Sequence, residues 1–243
     1  MTILQTSRSN PINLYDCASC GELLLGSYYT FIDRPDRFCG RCIATRPRCA
    51  GCGAPMGARH WQLHDGRLQC ERCHATAIYD PAEALAIYDQ TVTALVAQFA
   101  MRLNVGAAFR LIDAPTLEQI RSRGDRHLAE LGRITLGLYQ RQGRLRVIYM
   151  LYGLPRLTFR TTVAHEYAHA WQGENCPLLS DNLLREGFAE WVAYHHLYYL
   201  GCGKAAERML SSQHPYVPAL RHVLALETRL GQAGLIDYVR RAE

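Results

Sequence analysis

The sequence has no stretch approaching the roughly 20 uninterrupted apolar residues that cross a bilayer, so no membrane span is expected. Its first residues, MTILQTSRSNPINLYDC, lack the basic start, apolar run and small-residue cleavage site of a secretory leader; a cytoplasmic location is the expectation that follows. There is no internal repeat and no low-complexity tract. Residues 14–78 are poor in branched aliphatic side chains, which excludes an ordinary hydrophobic core in that stretch. It holds sulfur instead, with eight of the chain's ten cysteines. In a reducing compartment, paired thiols at short spacing bind metal rather than one another.

The eight fall into four pairs, Cys17 and Cys20, Cys39 and Cys42, Cys49 and Cys52, Cys70 and Cys73, each with two residues between the thiols. Such a pair forms a tight knuckle, and two knuckles complete a tetrahedral zinc site with Zn–S of about 2.3 Å. The intervals between pairs, eighteen, six and seventeen residues, divide the set into two successive four-cysteine structural sites. Gly21, Gly40, Gly51 and Gly53 sit in or just after the knuckles, and Asp65-Gly66 marks a hairpin turn before the last pair. His60, His64 and His74 lie close by, but eight thiols already complete two sites, which leaves these as surface histidines. The formal charge of +5 falls to about +3 once two zinc tetrathiolates and a third zinc are counted, too little to imply nucleic acid. The clustered Arg34, Arg37, Arg41, Arg46 and Arg48 raise a nucleic-acid-binding pair of zinc ribbons as an alternative, but no aromatic stacking platform accompanies them.

A chain of 243 residues has room for one ordinary domain and a small one. The composition changes at 78–81, which predicts a two-zinc module over 14–78 and a second domain over 79–243. The second begins with AEALAIYDQTVTALVAQFAMRL, whose apolar residues recur at helical spacing. Ala107 to Ile112 reads as a short strand, and ITLGLYQ and RLRVIYMLY, joined across Arg141 to Gly143, read as a hairpin. LEQIRSRGDRHLAEL reads as a solvated surface helix. The fold class is α+β, mostly helical with a small sheet.

The chemistry lies in TTVAHEYAHAWQ. On a helix His165 and His169 are one turn apart and face the same way, so both imidazoles can hold one zinc, with Glu166 beside it as general base. Glu186, with sixteen residues between it and His169, stands in the helical NLLREGFAEWVAYHHL and supplies the third ligand. Three protein ligands leave a fourth position for water, the mark of a catalytic zinc. Glu190, one turn beyond Glu186, is placed to accept the other ring N–H of a liganding histidine. The reaction indicated is peptide-bond hydrolysis. Cys176 and Cys202 read as ordinary thiols.

The paired knuckles resemble a LIM domain, departing from it by Cys39 where LIM domains usually have His, and by six residues rather than two between the modules. Together with YGLPRLTFRTTVAHEYAHAWQ and REGFAEWV, over roughly residues 14–243, the chain resembles the LIM-domain zinc peptidases of the plant organ-growth regulator family. That resemblance implies a gluzincin-type peptidase domain, protein or peptide substrates, a LIM-mediated partner or substrate contact, and activation by ubiquitin. Sixteen residues precede Cys17, where the family's ubiquitin-interacting segments stand, so ubiquitin control is not among the expectations. Gluzincins also carry a downstream Tyr that supports the transition state; Tyr216 in HPYVPALRHVLAL stands in a comparable position, though Ala219 stands where aminopeptidase relatives have Gly. His214 and Tyr152 compete for that role. The cofactor expectation is three zincs, one catalytic and two structural. A catalytically silent LIM-type scaffold is the competing reading, and the intact Glu166 argues against it.

Overall fold

The computed structural model describes residues 3–6, 15–31, 34–124, 135–212 and 214–243. By contacts the chain divides into two units, Met1–Ala77 with Ser211–His214, and Ile78–Leu210 with Pro215–Glu243.

In the first unit β1 (Ile3–Thr6), β2 (Tyr28–Phe31) and β3 (Arg34–Phe38) form an antiparallel sheet in that order, followed by the short helix α1 (Gly40–Thr45). A second hairpin, β4 (His60–Gln62) and β5 (Leu68–Cys70), turns through Gly66, whose φ of 82° lies in the left-handed region, and leads into α2 (Glu71–Ala75). Two small clusters stand in for a core. Cys17 and Cys42 pack with Leu24, Phe31, Phe38 and Ala54; Cys49, Cys70 and Cys73 pack with Met56. Sulfur supplies much of each cluster, as the shortage of aliphatic residues requires.

The strand β6 (Ala77–Ile78) leads into the second unit, where the Ile78 carbonyl accepts a hydrogen bond from the Gly153 amide at 2.6 Å. Asp80 caps α3 (Pro81–Phe99), its carboxylate accepting from the Glu83 amide. Then come β7 (Ala108–Ile112), α4 (Ala114–Gly124), β8 (Gly137–Gln142), β9 (Leu145–Leu151) and β10 (Leu154–Pro155). β9 is central, parallel to β7 and antiparallel to β8, so among the described residues β8 is an edge. The parallel partner was not foreseen from the sequence. The part of the charged helical reading beyond Gly124 lies outside the described residues.

Four helices complete the unit: α5 (Arg156–Asn175), α6 (Asn182–Tyr199), α7 (Gly203–Ser211) and α8 (Val217–Arg241). α5 buries Phe159, Val163, Ala164, Tyr167, Ala168, Ala170 and Trp171, more than one stripe, because it packs against the sheet, α3 and α6 together. Trp171, Phe188 and Trp191 stack in series between α5 and α6. At Gly187 on α6 a Cβ would lie 2.4 Å from the Ala219 carbonyl oxygen of α8, so the two helices cross in backbone contact there. Among the described residues no helix is long and apolar enough to cross a membrane.

Candidate metal centre

Three sets of side chains converge as metal ligands would: Cys17, Cys20, Cys39 and Cys42; Cys49, Cys52, Cys70 and Cys73; and His165, His169 and Glu186, each with its ligand atoms within 4.8 Å of one another. In the first set Cys20 and Cys39 Sγ are 3.9 Å apart, and in the second Cys52 and Cys70 Sγ are 3.8 Å apart. A tetrahedron with 2.3 Å bonds has edges of about 3.8 Å, whereas a disulfide needs about 2.05 Å. Backbone amides point at the sulfurs, Cys39 N to Cys17 Sγ at 3.3 Å, Cys42 N to Cys39 Sγ at 3.4 Å and Cys70 N to Cys49 Sγ at 3.3 Å. Without a cation the thiols of one set compete. Cys52 holds Cys49 down at about 6, while Cys49 and then Cys70 push Cys52 up. The donor set therefore suits zinc, which takes all four as thiolates.

The second set has a further partner. Arg34 of β3 donates from Nη1 to Cys52 Sγ at 2.9 Å and to Cys70 Sγ at 3.6 Å, while its Nε is held by Asp36 at 2.6 Å. Other arginines of the cluster are engaged inside the unit as well. Arg37 lies 3.4 Å over the Tyr15 ring, Arg41 pairs with Glu22, and Arg48 donates to the Gly53 and Ile43 carbonyls. His74 stacks on Trp61 rather than joining either cysteine set.

The third set belongs wholly to the second unit. His165 and His169 come from α5, Glu186 from α6, and their facing atoms are close: Nε2 to Nε2 3.0 Å, His165 Nε2 to Glu186 Oε2 3.7 Å, His169 Nε2 to Glu186 Oε2 3.5 Å. A tetrahedral ion with ligands at 2.0–2.1 Å has edges of about 3.3 Å. The opposite ring nitrogens fix the tautomers. His165 Nδ1 lies 3.3 Å from Glu190 Oε1, and His169 Nδ1 lies 2.9 Å from Gln172 Oε1, whose Nε2 donates to the Arg185 carbonyl. Each Nδ1 thus carries the proton and each Nε2 a lone pair, so three acceptors face one point with no donor among them. A cation satisfies that arrangement, and a His-His-carboxylate set suits zinc. Burial works against a charged His165, yet Glu186 and Glu190 raise it well above the ordinary histidine range, so the pocket favours positive charge. Burial likewise works against an ionised Glu186, yet His165 and His169 hold it well below the usual carboxylate range.

Glu166 is buried, and its Oε2 accepts from the Tyr139 amide of β8 at 2.7 Å. Its approach depends on Gly137, where a Cβ would meet Glu166 Cγ at 2.9 Å and Thr162 Cγ2 at 2.7 Å. The Leu151 amide donates to the Leu136 carbonyl, so along β8 the amides of residues 137, 139 and 141 face away from β9, as the Tyr139–Glu166 bond shows. Tyr216, the N-cap of α8, lies parallel to the His165 ring, with centroids 6.2 Å apart and planes at 12°. Burial, then Glu186, Glu190 and Glu166, push its phenol up to about 12, so it stays protonated at neutral pH. The Tyr152 ring packs against Tyr79, and His214 falls with the first unit. The site residues not foreseen are Gln172, Gly137 and the Tyr139 amide; Gln172, three residues after His169 on one helix face, was within reach of spacing alone. Cys176 is buried, which raises its thiol to about 11.

The chain is therefore mixed α/β with two four-cysteine clusters of LIM type near its N-terminus and a separate His-His-Glu cluster. Among curated proteins it is similar to Protein DA1 of Arabidopsis thaliana, 26% identical over 157 residues, covering 51% of this chain and 29% of that protein. It is also similar to LIM domain-containing protein HDR3 of Oryza sativa subsp. japonica, 25% identical over 157 residues, covering 51% of this chain and 31% of that protein. The matched part spans under a third of each relative's length. No family model and no solved structure matches.

Proposed function

We propose that the chain is a zinc-dependent metallopeptidase of gluzincin type acting on protein or peptide substrates, with the LIM-like unit serving substrate or partner binding. The observation that carries this reading is the convergence of three acceptor atoms, the two imidazoles each oriented by its own partner, beside the buried carboxylate of Glu166. Zinc, when bound, lowers the pKa of a water to about 7 and polarises a carbonyl. Glu166, anchored through Oε2, keeps Oε1 to take a proton from the attacking water and pass it to the leaving amine. Tyr216 offers a neutral O–H donor where negative charge develops on the scissile carbonyl oxygen. Glu190 and Gln172 hold the two imidazoles in the required tautomers. The open side of β8 beside Glu166 offers backbone groups on which an extended peptide can lie as an added strand.

The test is Glu166→Gln, which removes the base but no ligand. It should keep all bound zinc and the wild-type melting temperature while peptide hydrolysis drops by at least about 100-fold. Cleavage at the wild-type rate would end the proposal. The competing reading, a silent LIM-type scaffold, draws on the printed name of the rice relative; it requires wild-type protein with its zinc bound to cleave nothing.

A further inference from the structure

The end of β8 beyond the candidate centre is basic. Arg141 is exposed on the α5 side of the edge strand, and its Nη1 donates to the Gly173 carbonyl of α5 at 2.9 Å. Arg144 is exposed in the turn between β8 and β9. Arg146, opposite Arg141 across the hairpin, lies 3.9 Å from Glu174. Glu174, whose two oxygens also accept from the Asn104 and Val105 amides at 2.7 and 3.2 Å, offsets Arg146 and leaves Arg141 and Arg144 as the net positive charge of this end. Among the described residues neither Arg141 nor Arg144 has a carboxylate partner.

Two measures place Arg141 relative to the chemistry. Gly173 is four residues past His169, about 6 Å further along α5 at 1.5 Å per residue. Along β8, Arg141 is two residues past Tyr139, whose amide holds Glu166, and shares Tyr139's outward-facing backbone parity. Two residues of extended chain span about 6.6 Å, so the measures agree. A side chain opposite Arg141 on an added strand would lie within about 5.5 Å Cβ to Cβ on the same face.

We infer that this edge selects extended peptides carrying an acidic side chain two residues from the scissile bond, read by Arg141 and reinforced by Arg144. The inference rests on the peptidase reading for the word scissile, but the charge preference is a property of binding and is measured separately. Fluorescein-labelled octapeptides identical except for Asp, Gln or Lys two residues to either side of one central bond are titrated into zinc-loaded Glu166→Gln protein and offered to the wild type. The Asp peptide should bind about tenfold tighter than the Lys peptide, as expected of a cross-strand charge pair against its repulsive counterpart. The gap should shrink in high salt and reverse in Arg141→Glu. Arg144→Glu, at an exposed turn position with no carboxylate partner among the described residues, should narrow it even where the Arg141 variant folds poorly. Absence of charge-dependent binding, or a gap unchanged in both arginine variants, overturns the inference. Equal cleavage of all three peptides overturns it while leaving the peptidase reading intact. Charge-graded binding without cleavage retains it and overturns the peptidase reading.

Discussion

At the scale of single residues, the sequence carried the histidines because their meaning depends only on helical spacing, one turn apart on α5. Glu190 was legible for the same reason, as a residue one turn beyond Glu186 on α6. The Tyr139 amide was not, since no pattern in one strand announces that an amide from a distant hairpin will meet a helix carboxylate. Tyr216 stands between these cases: the resemblance marked it, and the fold lays its ring parallel to His165. Tyr216→Phe keeps that ring and deletes only the O–H. Turnover should fall by about 100- to 1000-fold, the usual cost of one donor to a developing oxyanion, with zinc content and melting temperature unchanged. A fall of less than about threefold in kcat would reduce Tyr216 to a packing residue.

Among the elements, local pairing was readable and distant pairing was not. The hairpin of β8 and β9 follows from alternation around a Gly143 turn, and the strand read at Ala107 to Ile112 is β7. The parallel alliance of β7 with β9 depends on a crossover whose path no short-range signal fixes. The crossing of α6 and α8 was equally silent, because a lone glycine in a helical pattern says only that helix propensity is low. Ordinarily alanine in place of a mid-helix glycine adds about 0.5–1 kcal/mol of stability. Gly187→Ala should do the opposite, since its methyl meets the backbone of Ala219 at 2.4 Å. Overpacking of about 1–3 kcal/mol outweighs the helix gain, and the melting temperature should drop by several degrees. Because Glu186 is adjacent and Tyr216 begins the other helix, zinc affinity of the His-His-Glu set should weaken with it. An unchanged or raised melting temperature would show that the helices separate at no cost.

For the whole molecule, cysteine spacing made the two clusters legible before any fold was known, since eight thiols in four short pairs admit few arrangements. Elemental analysis of gently purified protein should approach three zincs per chain, and a value near one would contradict two structural sites. Progressive chelation followed by circular dichroism and limited proteolysis should open residues 14–78 before the helical part, because structural zinc supplies about 10–16 kcal/mol of apparent binding energy to such modules. Retention of that region's protease resistance after complete metal removal would count against the assignment. What spacing did not disclose is the reach of Arg34 from the first sheet to sulfurs of the second cluster. A tetrathiolate around a divalent ion keeps two negative charges, and Arg34 is the cation that meets them. Whatever the second ion gains from an ordered Arg34, the β2–β3 hairpin gains equally when that ion is present. Metal uptake at the later site is then linked to the ordering of the β2–β3 hairpin, the strand pair that leads directly into Cys39.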